Sequence, residues 1–300
     1  MTAASPARIG IVTDENWPEL TDSDSRLAEA LDARGHTVEP VIWHEDSIEW
    51  EAFDLLVVRS CYQYYTAPEA FREWLETVDA DGPPLVNPVS VIRWNMHKFY
   101  LRELDEAGVP VLETAFIESG TNTQLADILE ERGWESAVVK PAIGTSSTGA
   151  WRTTRESAAA DQSRFESDLA DGDRLVQAFA PEIADGERSL VFIDGTFSHA
   201  WRSIPAEGEF RSHSNYGGHS EVYDPPASIV DQAGAVLDTA RELTAQTDSP
   251  VAYARVDGIE RDGRFVLMEL ELVEPYLGLG RDDAAADRLA NAVLERLLET

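Results

Sequence analysis

Lysine is nearly absent from this chain. Lys98 and Lys140 are the two lysines among 24 basic residues in 300, and arginine supplies all the others. Chance retention is the plain reading, yet a chain that otherwise avoids the ammonium group has kept it at two places worth examining. Cysteine is scarcer still. The single Cys61 excludes an intrachain disulfide framework and a multi-cysteine zinc site, and beside the tyrosine-rich run that follows it reads as a packed small side chain. No stretch approaches the roughly 18 apolar residues that span a bilayer, and Met1 to Pro6 lack the basic region and apolar run of a secretory leader. The expectation is a soluble, cytoplasmic protein. Positive charge is short overall: 24 Lys+Arg face 56 Asp+Glu, a formal net of -32. A field of that sign repels nucleic acid and anionic membrane, so neither is expected as a partner, and an anionic substrate needs a local cationic pocket. The GxGxxG fingerprint is missing after the first apolar run, where TDENW stands instead, which weakens a nicotinamide-binding reading.

What is present is a folded α/β pattern. Hydrophobic residues make up 43% of the chain and aromatics 9%, ordinary for a globular protein despite the charge. Short apolar runs at Arg8 to Thr13, Val38 to Trp43, Phe53 to Arg59 and Pro84 to Asn87 alternate with helical periods at Asp22 to Arg34 and Ala67 to Val78. Residues 1–90 therefore read as a small doubly wound domain. Residues 91–180 read as an α+β lobe, with helices at Met96 to Ala107, Thr123 to Glu131 and Arg155 to Leu169 and strands at Ser136 to Pro141, Trp151 to Thr153 and Leu175 to Phe179. Residues 181–300 read as antiparallel strands with an inserted helix, Ile229 to Leu243, and a closing helix, Asp283 to Leu298. Asp194-Gly195 and Asp262-Gly263 mark the hairpin turns.

Three groups of residues carry chemistry. The strand ending in Lys140 runs into Gly144, Thr145, Ser146, Ser147, Thr148 and Gly149, small and hydroxyl residues that let backbone amides approach a polyphosphate. The order is not that of a P-loop, because the lysine precedes the loop; a loop that merely turns would look alike. Glu269 and Glu271 stand two apart on a strand and leave on one face, and Asp257, near the end of the preceding strand, faces them if the two strands form a hairpin. Three carboxylates on one patch suit Mg²⁺ held together with phosphate oxygens, although a solvated face of a very acidic protein would also show them. Arg202, Arg211 and Arg255 offer planar forks that match carboxylate or phosphoryl oxygens, the second of them in a glycine-ended loop running to Gly218.

Together these segments resemble the ATP-grasp superfamily, above all the branch with bacterial glutathione synthetase and the ribosomal-protein glutamate ligases. The resemblance runs over most of the chain. It implies an ATP-grasp fold: a Rossmann-like domain before two α+β lobes with the nucleotide between them. Lys98 in NMHKFYLRELDEAGVPVLET matches the family's first nucleotide lysine, and Lys140 in VVKPAIGTSSTG its second. LVQAFAPEI is similar to the adenine-contacting strand, which implies Gln177 and Phe179 near the base and Glu182 near the ribose, with Glu187 opening the next segment. Arg202 and Arg211 fall on family arginines that hold the acyl phosphate and the acceptor, so with Lys140 they are the expected catalytic residues. Asp257, Glu269 and Glu271 fall on the ligands of two Mg²⁺ ions, or of Mn²⁺ in their place; many members have Asn where Glu271 stands.

The implied activity is ATP-dependent ligation of a carboxylate to an amine on small amino-acid-like substrates, through an acyl phosphate, with no covalent role for Cys61 or His213. VRSCYQYY and ELELVEPYL also resemble a subgroup that includes the cycloserine-forming cyclo-ligase, which keeps intramolecular ring closure open. A kinase of the same fold, or a nucleotide-binding regulatory protein that has lost catalysis, would carry many of the same motifs. Asp14, Arg59, Ser60 and the 211–218 loop are expected to read the substrate if the first domain borders the cleft. Family members are commonly oligomers. The acidic balance resembles that of cytoplasmic proteins from organisms that accumulate salt.

Overall fold

The computed structural model describes residues 6–245 and 251–298; of the Met1 to Pro6 start, all but Pro6 lies outside them. Continuous apolar runs are what parallel strands buried on both faces require, and Arg8–Thr13 (β1) and Leu55–Ser60 (β3) supply them. With Thr37–Ile42 (β2) and Leu85–Val86 (β4) they form a parallel sheet in the order β2-β1-β3-β4. Asp22–Asp32 (α1) connects β1 to β2, and Pro68–Asp81 (α2) connects β3 to β4. Thr21 caps α1, its hydroxyl accepting the Asp24 amide at 3.2 Å. In α2, Phe71, Trp74, Leu75 and Val78 recur at helical spacing and are all buried.

The helix expected over Met96 to Ala107 begins later, as Tyr100–Glu106 (α4), and a separate short helix, Val89–Asn95 (α3), precedes it. Between them the Lys98 amide donates to Ala142 O at 2.8 Å, a bond to a neighbouring strand end that breaks the helical ladder and turns Lys98 inward. Both helices fall largely in the 91–180 stretch. Even so, Val91, Tyr100, Leu101 and Leu104 pack with Leu190, Phe192, Val256 and Leu270 of the last sheet.

The second sheet is antiparallel in the order β5-β8-β6-β7, from Thr114–Ile117 (β5), Ser136–Pro141 (β6), Trp151–Thr154 (β7) and Arg174–Ala178 (β8). Leu125–Arg132 (α5) and Ala158–Ala170 (α6) cover it through Leu125, Leu129, Phe165 and Leu169. The third sheet, also antiparallel, runs β11-β10-β9-β12-β13. Its strands are Glu187–Ile193 (β9), Thr196–Ile204 (β10), His219–Val222 (β11), Tyr253–Arg261 (β12) and Arg264–Glu271 (β13), with Ala227–Leu243 (α7) between β11 and β12. Both Asp-Gly turns have positive φ at each residue, as the expected hairpins need. Ala285–Leu298 (α8) returns to the first domain, where Leu289 and Val293 join the core of Ile9, Leu27 and Leu55.

The β12–β13 register shifts between Asp257 and Gly258. A Cβ at Gly258 would meet Val266 O at 2.4 Å and the Phe265 ring at 2.6 Å, so only glycine fits beside the aspartate. Gly258→Ala is expected to lose about 1–3 kcal/mol of stability, as overpacked sites do, read as a lower midpoint in urea denaturation.

Candidate active site

The three sheets converge on one cavity of about 980 Å³. Its floor is β13, a sheet edge whose outward backbone groups need partners. Buried side chains provide them: Asn95 bonds Leu270 O and Leu272 N at 2.8 and 2.7 Å, Tyr100 bonds both backbone groups of Leu270, and Asn87 donates to Leu272 O. The edge is thereby fixed in place, and Glu269 and Glu271, alternating with Leu270 and Leu272, both reach the cavity. Register sets Asp257 opposite Glu269 and Arg255 opposite Glu271.

The charges interlock. Arg255 donates to Asp257 at 2.9 Å and to Glu271 at 2.6 Å, and Lys98 pairs with Glu269 at 3.1 Å while also donating to Gly144 O. Burial pushes the carboxyls of Asp257 and Glu271 above their ordinary values, with Arg255 opposing. Burial acts the same way on Glu269, but Lys98 and Lys140 outweigh it and hold that carboxyl below its usual value. Burial lowers the Lys140 ammonium, and among the described residues no carboxylate pairs with it. Glu187 accepts from the Ser212 hydroxyl and is pushed up to about 7 by burial and by Asp257.

Most of the expected residues meet here. Lys98, Lys140, Gly144, Thr145, Ser146, Ser147, Thr148, Gln177, Phe179, Glu187, Arg211, Asp257, Glu269 and Glu271 all line the cavity. The loop after β6 holds Ser146 and Ser147 at positive φ and is pinned by Thr145, whose hydroxyl donates to Tyr62 O at 2.8 Å.

Two expected residues lie outside this lining. Arg202 sits between Trp201 and Ser203, which do line it; strand alternation sends Arg202 to the other face, where it bonds Glu221 at 2.7 Å. Glu182 follows β8 in a short turn and is drawn outward to Arg261 at 2.6 Å. The carboxylate trio also differs from expectation. Among the described residues no three His, Cys, Asp or Glu side chains are drawn together as a metal cage, because Arg255 and Lys98 occupy the oxygens. The donor set still fits a hard divalent cation: carboxylate oxygens on adjacent strands, with Asp257 opposite Glu269 and Glu271 two residues further along.

The first domain does border the cavity, but through other residues than expected. Asp14, Arg59 and Ser60 are buried behind it, and Trp17 and Tyr62 face it instead. Within the 211–218 loop, Arg211 to Asn215 line the wall; Arg211 is bound to Glu209 and stacked over Tyr216 at 3.6 Å. Cys61 is buried away from the lining.

Sequence reasoning missed Glu274, which is 7% exposed, lines the cavity and forms no ion pair among the described residues. It is out of phase with Glu269 and Glu271, because β13 ends at Glu271 and the chain bends at Val273 and Glu274. Burial pushes its carboxyl up to about 8 against the pull of Lys98 and Arg59. A folded state with so raised an acid keeps a proton that the unfolded chain loses near 4.5, so its contribution to stability fades as pH climbs toward 8. Glu274→Gln is expected to melt several degrees above the wild type in alkaline buffer, with the gap closing near pH 4.5, as thermal melts across this range would record.

The chain is similar to known proteins in two segments and over its whole length. A family model for the D-cycloserine synthetase DcsG N-terminal domain matches residues 9–87, and one for the prokaryotic glutathione synthetase ATP-grasp domain matches residues 109–238. The chain is 29% identical over 298 residues to the cycloserine biosynthesis protein DcsG of Streptomyces lavendulae, covering 96% of this chain and 98% of that protein. The crystal structure of D-cycloserine synthetase DcsG superimposes with a TM-score of 0.86 at 27% identity, over 97% of this chain and 99% of that one. D-alanine–D-alanine ligase from Bacillus anthracis shares the fold, with a TM-score of 0.70 at 17% identity and 98% coverage of both chains.

Proposed function

We propose that this chain, which has the ATP-grasp fold and is related to DcsG and to glutathione-synthetase-like ligases, is a member of the ATP-grasp superfamily and an ATP-dependent carboxylate-amine ligase acting on small amino-acid-like substrates. One observation carries the reading: a single cavity gathers both lysines, the hydroxyl-rich loop, Gln177 and Phe179, and the three carboxylates.

Lys98 and Lys140 neutralise the triphosphate while the Thr145 to Thr148 loop covers it. Asp257, Glu269 and Glu271 would hold Mg²⁺, which when bound screens phosphate charge and orients the γ-phosphoryl group. A substrate carboxylate oxygen attacks the γ-phosphorus and ADP leaves; an amine then attacks the acyl carbon, phosphate leaves, and the amine proton passes to solvent. Arg255, already turned toward the carboxylates, takes the part expected of Arg202 in stabilising acyl-phosphate oxygens, together with Arg211 of the same lining. Glu274, protonated in the empty site, gives up its proton when the ammonium of an amino-acid-like substrate arrives and then pairs with it. Positioning and charge do the work, with no protein nucleophile.

The whole-length relation to a cycloserine biosynthesis protein favours a second reading, in which acid and amine belong to one molecule and the product is a ring. Incubation with ATP, Mg²⁺ and a panel of amino acids at high salt, following ADP and phosphate, tests the class. Product mass then separates ring closure from joining two molecules. Nucleotide that binds yet yields no substrate-dependent ADP across the panel would rule out a ligase. No helix among the described residues is long and apolar enough to cross a membrane. A cytoplasmic setting rich in salt, and a homo-oligomeric state, complete the proposal.

A further inference from the structure

In the antiparallel pairing of β5 with β8, Thr114 stands directly opposite Gln177. The Thr114 hydroxyl donates its one proton to Leu112 O at 2.7 Å. Toward Gln177 its oxygen can therefore act only as an acceptor, and Gln177 Nε2 donates to it at 3.0 Å. A glutamine amide left to itself can exchange its two ends, but this relay fixes which end is which. Nε2 is committed to the sheet. Oε1 takes no partner among the described residues, and it belongs to a side chain in the cavity wall. Alongside, Leu112, Phe179, Ile183 and Met268 line an apolar slot, and Phe179 is backed by the Arg152 guanidinium 3.7 Å from its ring centroid. An apolar slot with one fixed acceptor at its wall selects among purine bases by what they present there.

We propose that Thr114 is a positioning residue for base selection: it holds Gln177 Oε1 as an acceptor, so that the site takes a nucleotide whose base carries an exocyclic amine where inosine carries a carbonyl. The proposal rests on the reading of this cavity as a nucleotide site. An amine donates to Oε1. A carbonyl sets oxygen against oxygen beside those apolar side chains, and leaving both unpaired is worth on the order of tenfold in affinity. Without the Thr114 hydroxyl the amide is free to turn and offer its NH₂ to that carbonyl, so discrimination falls while the apolar slot persists.

Equilibrium binding of ATP and of ITP, with Mg²⁺, to the full chain and to its Thr114→Val and Thr114→Ser variants tests this. The wild type is expected to favour ATP. Thr114→Val, close in shape but without the hydroxyl, should narrow the ATP-to-ITP affinity ratio by roughly tenfold, and Thr114→Ser should restore it. Thr114→Ala gives the same comparison should valine strain the strand. A wild-type ratio in the variants lacking the hydroxyl, or a narrowing that serine shares, would overturn the positioning role while leaving nucleotide binding itself in place. A wild type that binds neither nucleotide would sink the nucleotide-site reading and this inference with it.

Discussion

Lys140→Met is expected to weaken ATP binding on the order of a hundredfold, the loss that follows when one partner of a desolvated charge contact is truncated, and at the same time to raise the melting temperature of the nucleotide-free protein. The two effects have one cause. Lys140 is partly buried, its ammonium is lowered by desolvation, and among the described residues it has no ion-pair partner, whereas Lys98 is engaged by Glu269 and Gly144. A lysine whose pKa falls on folding is a burden at neutral pH, which methionine of similar length removes. Only an anion brought by a ligand repays it. Titration calorimetry with ATP and a melt without nucleotide give both numbers; unchanged affinity, with or without a rise in melting temperature, would remove Lys140 from the phosphate site.

Arg59→Met is expected to cost about 3–5 kcal/mol, the penalty for leaving a buried carboxylate unpaired. Arg59 and Asp24 are fully buried and paired at 3.0 Å; Ser60 also donates to Asp24, and Arg59 donates onward to Pro275 O and lies over Tyr253. This network ties the first domain to the segment that carries Glu274 and Tyr276 into the cavity. The contrast is Arg8 with Glu39, a pair at 2.8 Å whose side chains are about 40% exposed; its removal is expected to cost far less, because solvent screens the pair. Denaturant unfolding of the two variants side by side measures the difference, and equal losses would show that burial does not govern these pairs.

Much of the architecture was legible because apolar periodicity reports burial directly. β1 and β3 read as continuous apolar runs, α2 repeats at helical spacing, and both Asp-Gly turns are where the sequence places them. The elements that were missed are short or made by distant contacts. β5 and β11 are four residues each, and α3 ends where Lys98 binds Ala142. The site divides the same way. Lys98, Lys140 and the loop between Gly144 and Thr148 announce themselves by composition, but the phase of β10 decides that Trp201 faces the cavity and Arg202 does not. Likewise Glu182 and Glu187 look alike in the chain; a turn carries one out to Arg261, and β9 carries the other inward.

By itself the sequence determined the kinds of groups available: two ammonium ions in an arginine chain, a hydroxyl-rich loop after a strand, and carboxylates two apart on another. Those choices are local, since period, turn chemistry and residue type act over a few neighbours. Only the tertiary structure decided which groups share a space and how each is charged there. Arg255 between Asp257 and Glu271, Glu274 without an ion pair among the described residues, and Gln177 held by Thr114 each depend on strand register and on desolvation by segments far away in the chain. Burial and pairing are properties of the assembled whole, and no single segment encodes them.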